Sequence, residues 1–318
     1  MSDRSNHTLY HHHLVAMASN ITVTAVGPEG DATFGPQVEA ICQIFHDVET
    51  HCTRFDPTSD LMRANAAGEH FIGVHSLCAD ALREAFVAYE MTEGAFDPRI
   101  FGDLVRLGYG ESFLHRRPHL EHVPDEQSRP SLGRWTPRFR DDPPEVSVGP
   151  LPIDLGGIGK GLSLRWCAKR MKPLSSGFLL EAGGDVYVHG VPLDDAEWRI
   201  GIEHPSAPDT HVAILGLSDR GCATSSVRVR RWQANGQTIH HLIDPSTGRP
   251  GGEGLASATV VHDDPAIAEV WSKVLFLRGE QDIADASERH GIAAFWVFES
   301  GSYQFSPAME EYVRWTAP

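Results

Sequence analysis

The chain has 318 residues, enough to bury a large core as one big domain or two modest lobes. Its apolar (41%) and charged (22%) contents are ordinary for a globular protein, and a net charge of −16 argues against a nucleic-acid partner, whose phosphates it would repel. Any anionic ligand therefore depends on local help from a lysine, an arginine, a metal ion or backbone N–H groups.

Residues 1–13 read as a flexible N-terminus in which His11, His12 and His13 form a solvated run. The apolar piece Leu14 to Ala18 is too short for a secretory leader, no lipid-attachment cysteine lies nearby, and no stretch reaches membrane-spanning length. Five cysteines, at 42, 52, 78, 167 and 222, are scattered without C-x-x-C spacing. That usage suits a reducing compartment, and the expectation is a cytoplasmic protein without a membrane span.

In chain order, 14–26 ("LVAMASNITVTAV") predicts a strand, with β-branched alternation near its end. Val38, Ile41, Ile44, Phe45 and Val48 form a helical stripe, and the turn "DPTSD" follows. A second helix is predicted over 79–92, with Ala79, Leu82, Phe86 and Tyr89 on one side and Gly94 as its stop. Residues 115–150 crowd prolines, arginines and acids and read as a loop-like excursion. "FLLEAGGDVYVHG" and "EWRIGIEHP" predict strands, the first bent at its glycines. "QTIHHLIDPSTGRP" predicts a strand ending in a turn. "PAIAEVWSKVLFLRG" predicts a helix with Ile267, Val270, Trp271, Val274 and Leu277 inward, and "IAAFWVFES" another strand. Strands and helices mix without a regular βαβ rhythm, so the fold class is α+β, with 14–318 as a single domain.

"IDLGGIGKG" (153–161) raises the question of phosphate. It is not a P-loop, because Asp154 and Gly161 stand where that motif needs a glycine and a Ser or Thr. The alternation of Gly157, Gly159 and Gly161 also misses the dinucleotide fingerprint. Read alone, it is equally a glycine turn that lets a helix pack on a sheet.

Five segments in register carry a resemblance: "RFDPTSDLMRAN" (54–65), "TEGAFDP" (92–98), "IDLGGIGKG", "AGGDVYVHG" (182–190) and "ATSS…HHLIDPSTGRP" (223–250). Together they resemble the FAD:protein FMN transferase, or ApbE, family. The resemblance implies a two-lobed mixed fold with the flavin nucleotide in the cleft between lobes. It also implies FMN transfer from FAD to a threonine hydroxyl of an acceptor protein, with release of AMP and usually with magnesium. The glycines at 156, 157, 159 and 161 would let backbone approach the diphosphate of FAD, with a helix beginning near Leu162 and Lys160 adding positive charge.

By the same resemblance, Met17, Phe55, Ala95, Phe96, Asp97, Asp154, Lys160, Ser225, Leu242 and Ile243 match flavin-nucleotide contacts, and Gly157 matches a magnesium-binding carbonyl; taken singly, Phe96 and Met17 read as core packing and Asp97-Pro98 equally as a plain turn. Thr224 and Ser226 share the small polar segment of Ser225, and Arg228, Arg230 and Arg231 follow it either toward phosphate or along a soluble strand edge. His241 matches the general base. If 238–244 is a strand, His241 shares a face with Ile239 and Ile243 while His240 points away with Leu242. A core histidine satisfied by backbone is the alternative, and Asp244 either orients its neighbours or caps the turn.

The late helix departs from the family. Its metal-binding acid and threonine positions hold Glu269 and Lys273, with Ser272 between. Glutamate is a workable ligand; a charged lysine is not. Either the Lys273 ammonium takes the place of the metal's charge, or Glu269 and Lys273 form an ordinary surface pair beside a degraded metal site. Hydrolysis of FAD to FMN and AMP, or flavin binding without catalysis, are the rival activities. Elsewhere, His115, His119 and His122 have zinc-like spacing interrupted by Pro118.

Overall fold

The computed structural model describes residues 6–110, 132–205, 207, 210–228, 231–234 and 237–318. The zinc-spaced histidines and Arg230 lie outside the described residues.

The chain opens with a hairpin. β1 (His7–Ala16) and β2 (Ser19–Pro28) pair antiparallel about the two-residue turn Met17-Ala18. Both turn residues have positive φ, 55° and 53°, the hand that matches strand twist in so short a loop. Residues 7–13, expected to be a flexible arm, therefore belong to a strand. The predicted strand 14–26 is split by the turn.

The helical stripe beyond it is two helices, α1 (Phe34–Cys42) and α2 (Ile44–Cys52), parted at Gln43. Next come α3 (Asp60–Ala67), β3 (Ile72–Gly73), α4 (Ser76–Met91) and α5 (Phe101–Arg106). The Ser59 hydroxyl caps α3 by accepting from Met62 N at 3.1 Å. The described part of the expected 115–150 loop is structured: β4 (Arg138–Asp141) and β5 (Pro144–Ser147) form a hairpin. Just before it, Trp135 is buried edge-on to Phe86 and Tyr89, and its Nε1 donates to Val148 O at 2.8 Å. One indole with a satisfied N–H anchors a segment whose composition is otherwise that of a loop.

α6 (Gly159–Met171) begins three residues earlier than expected, which places Lys160 in its first turn. Then follow β6 (Gly177–Ala182), β7 (Asp185–Gly190), β8 (Trp198–Glu203), β9 (His211–Leu217) and β10 (Arg220–Ser226). β11 (Arg231–Ala234) pairs with β12 (Gln237–His240), and β13 (Ile243–Asp244) with β14 (Arg249–Pro250). β15 (Leu255–His262), α7 (Pro265–Leu277), α8 (Gly279–Arg289), β16 (Ala293–Phe298), β17 (Tyr303–Phe305) and β18 (Val313–Thr316) complete the chain.

The main sheet has eight strands in the order β1-β2-β6-β7-β10-β15-β16-β17, every neighbouring pair antiparallel. This is the α+β architecture expected, not a doubly wound sheet. Alternate side chains explain the layering. From β16, Ala294 and Trp296 join the core shared with the helices, whereas Ala293, Phe295 and Val297 join a second core. The second core packs the sheet β18-β9-β8 against the opposite face. Strands apolar on both faces read as continuous runs, as "AAFWVF" does.

α7 is buried almost all round, from Pro265 to Phe276, so its sequence stripe understated its burial. Asp264 caps it by accepting from Ala266 N at 2.9 Å and also pairs with Arg165 of α6. All five cysteines are free and buried. No helix among the described residues is long and apolar enough to cross a membrane.

Candidate active site

A cleft of about 260 Å³ is walled by segments far apart in sequence: the Met17-Ala18 turn, the end of α2, 53–55, 95–98, 154–160, 241–245 and α7. The glycine turn forms part of its floor. Its glycines do not adopt left-handed backbone; they are needed because the surroundings leave no room for a Cβ. At Gly157 a Cβ would stand 2.8 Å from the Phe96 ring, and at Gly161 2.5 Å from Ala266 Cα. Gly161 thus serves the crossing of α6 on α7 rather than the cleft, which only Gly156, Gly157 and Gly159 of the four line.

"GAFDP" and the glycine turn are joined by backbone, Asp154 N donating to Pro98 O at 2.8 Å. Thr92 Oγ1 accepts from Phe96 N at 3.0 Å and fixes that ring's approach. Asp97 pairs with Arg99 at 2.7 Å, both side chains buried. Asp154 is held by Arg54, Nε to Oδ2 at 2.8 Å. The same guanidinium lies 4.3 Å from the ring centroids of both Phe55 and Tyr109, supporting Phe55 where it stands 39% exposed. Met17 occupies the strained hairpin turn rather than a strand, a left-handed conformation that costs about 1–2 kcal/mol. Its N–H donates to Glu49 Oε1 at 2.8 Å.

The two histidines have separate fates because β12 ends at His240, so the strict alternation predicted for 238–244 breaks there. His240 turns inward against Phe276, and its Nδ1 accepts from Leu242 N at 3.3 Å. Burial pushes its pKa down to about 4, so it is neutral at pH 7. Its ring is half-buried and satisfied by backbone. His241 lines the cleft with Leu242 and Ile243, edge-on to Tyr109 at 6.5 Å between centroids. Asp244 caps the turn, its Oδ1 accepting from Ser246 N and Oγ at 2.8 and 2.7 Å.

Beneath the cleft Glu269 is fully buried. Its Oε2 accepts from Gly161 N at 2.7 Å, and its Oε1 lies 3.1 Å from Lys273 Nζ and 3.5 Å from Lys160 Nζ. Burial alone would raise its pKa. Lys273, Lys160 and the Gly161 N–H together outweigh that and hold it below the ordinary carboxylate value, hence ionised. Lys160 also pairs with Asp185, whose other oxygen accepts from Thr224 N at 3.0 Å. Glu269 and Lys273 are therefore not a surface pair.

Twelve of the expected site residues line the one cleft: Met17, Phe55, Ala95, Phe96, Asp97, Asp154, Gly157, Lys160, His241, Leu242, Ile243 and Lys273. Three do not. Glu269 lies beneath the floor, while Ser225 and Ser272 are buried and bonded to each other, Oγ to Oγ at 2.9 Å. Thr224 and Ser226 are likewise absent from the lining, and Arg228 pairs with Glu203 away from it. Arg54, Arg99, Tyr109 and Asp185 were not expected. Only the adjacency of Arg54 to Phe55 and of Arg99 to Asp97 hinted at two of them.

The ApbE family matches residues 17–296. The chain belongs to the ApbE family. It is 28% identical over 272 residues to an FAD:protein FMN transferase of Haemophilus influenzae, covering 82% of this chain and 78% of that one. With the FAD:protein FMN transferase of Escherichia coli strain K12 it shares 25% over 251 residues, 77% and 69% of the two chains. Among solved structures, the ApbE protein of Thermotoga maritima superposes with a TM-score of 0.80 at 24% identity, over 97% of this chain and all of that one. The apo flavinyl transferase ApbE of Pseudomonas stutzeri gives 0.75 at 22%, over 97% and 99%.

For this ApbE-family member the implied magnesium set of Gly157, Glu269, Ser272 and position 273 does not fit a metal. Both Glu269 oxygens are engaged by ammonium and N–H donors, Lys273 offers no lone pair when charged, and the Ser272 hydroxyl donates to Glu269 O at 2.9 Å. Among the described residues no group of three or more His, Cys, Asp or Glu could hold a metal ion.

Proposed function

We propose that this chain is an FAD:protein FMN transferase that moves FMN from FAD to a threonine hydroxyl of an acceptor protein. The observation that carries the reading is the convergence of His241, the flavin-contact positions and the glycine turn on one cleft. FAD is the substrate. Phe55, Phe96 and Met17 offer planar and polarizable apolar surface to an isoalloxazine ring. The first turn of α6, with Lys160 in it, directs positive potential at the diphosphate.

His241 takes the proton of the incoming hydroxyl, whose oxygen bonds to the flavin-side phosphorus. The bond from that phosphorus to the bridging oxygen breaks, and AMP departs with its electron pair. Positioning and charge neutralisation govern such a displacement. Phe55, exposed at the rim, leaves the cleft open to a protein acceptor.

The test is mass spectrometry of a threonine-bearing acceptor protein after incubation with FAD and this enzyme. Flavin covalently attached to the threonine, with AMP formed in equal amount, is the expected result. Free FMN and AMP with an unmodified acceptor overturns the transferase reading in favour of hydrolysis.

A further inference from the structure

The floor of the cleft is built around a carboxylate that is already neutralised. Glu269 accepts from the Gly161 N–H through Oε2 and faces two ammonium groups through Oε1. Lys160 divides its charge between Glu269 and Asp185. Lys273 is placed differently. It stands one helical turn after Glu269 on α7, its Cδ passes 3.5 Å from where a Gly157 Cβ would be, and it lines the cleft. An ammonium has three donors, and among the described residues Lys273 spends one hydrogen bond on Glu269. The Lys273 stem thus passes Gly157 at ordinary contact distance, while the tight neighbour of a Cβ there would be the Phe96 ring at 2.8 Å.

A divalent cation has no place in this arrangement. To reach Glu269 it would have to displace two like charges at 3.1 and 3.5 Å, and at position 273 it would meet a donor-only group where a ligand needs a lone pair.

Resting on the transferase reading, we propose that Lys273 is a catalytic residue in place of a metal: its ammonium contacts the FAD diphosphate, and this enzyme binds FAD and transfers FMN without a divalent cation. During the displacement the acceptor oxygen–phosphorus bond forms, the bond from phosphorus to the bridging oxygen breaks, and the hydroxyl proton goes to His241. Lys273 neutralises charge growing on the departing AMP oxygen and gives up no proton. Glu269 is a positioning residue; it fixes the ammonium through Oε1 and is itself anchored by the Gly161 N–H.

The experiment titrates FAD calorimetrically into chelator-treated full-length protein, with and without millimolar magnesium, and measures flavin transfer in the same two buffers. Affinity and rate are expected to agree in both. Lys273→Ala is expected to lose about tenfold or more in FAD affinity in either buffer, the scale of a hydrogen bond to a charged group, while Lys273→Arg, which keeps the cation, retains most of it. Lys273→Thr, which restores an oxygen ligand beside Glu269, is expected to lose affinity in chelator and regain it with magnesium. Wild-type binding or transfer that collapses in chelator and returns with magnesium overturns the proposal, as does full affinity in Lys273→Ala. Wild-type protein that binds no FAD in either buffer overturns the transferase reading instead.

Discussion

Arg54 and Asp154, from distant parts of the chain, close on each other in the cleft wall, Nε to Oδ2 at 2.8 Å with side chains 5% and 8% exposed. Arg54→Ala strands a buried carboxylate and removes the cation between Phe55 and Tyr109. The expected loss is about 3–5 kcal/mol in urea unfolding, with weakened FAD binding. Arg54→Met combined with Asp154→Leu restores part of the stability, because no charge is left unpaired, though Gly156 N and Tyr109 O lose their side-chain partners.

Two glycines of one turn are expected to respond differently to alanine. At Gly161 the new Cβ meets Ala266 Cα at 2.5 Å and Pro265 O at 2.6 Å, backbone that cannot step aside. Thermal or urea unfolding of Gly161→Ala should show a loss of about 1–3 kcal/mol. At Gly157 the obstacle is the Phe96 ring, a side chain at 2.8 Å that borders the cleft, with Lys273 Cδ in ordinary contact at 3.5 Å. Gly157→Ala should therefore cost less stability and more FAD affinity, a contrast that unfolding and calorimetry together read out.

His240 makes stability depend on pH. The unfolded chain takes up a proton as pH falls below 6.5, whereas the folded protein holds His240 neutral down to about 4. The unfolded state binds more protons across that window, so this contribution is complete above pH 6.5 and is lost as pH drops to 4. Its size is on the order of 3 kcal/mol. Urea unfolding across the window should show a smaller loss for His240→Asn, whose side chain can still accept from Leu242 N.

His241→Ala should behave as a chemistry variant. Loss of a general base lowers transfer about 10²–10⁴-fold, while FAD affinity, set by the floor and the aromatic walls, changes little. Single-turnover appearance of protein-bound flavin, beside a calorimetric titration, separates the two effects. Wild-type transfer by His241→Ala would remove the histidine from the mechanism.

The helices and strands were legible from local periodicity, and the cleft-lining segments from the resemblance of five motifs in register. The α7 stripe is a short-range pattern, whereas the glycine turn and the paired histidines, read alone, left a packing role open and were tied to one cleft by the five-segment resemblance. Burial around Trp135 was not legible, because a single aromatic outweighs a polar, proline-rich neighbourhood only once its partners Phe86 and Tyr89 are in place. The fate of Ser225 was hidden for a like reason. Its partner Ser272 lies in another element, and local spacing carries no signal of whether a hydroxyl faces a ligand or a neighbour. Arg54 and Asp185 were missed because their importance rests on Asp154 and Lys160, partners brought close only by the fold.

The bare crossing at Gly161 and Ala266, tied again where Arg165 grips Asp264, locks α6 and α7 into one stiff block that carries both lysines. Phe55 stands on the connection between α2 and α3, and the Met17-Ala18 turn leans on that block, Ser163 Oγ donating to Met17 Sδ at 3.5 Å. Any anion that enters the cleft therefore meets the two ammonium groups as one rigid unit, their spacing set by helix packing and not by a loop.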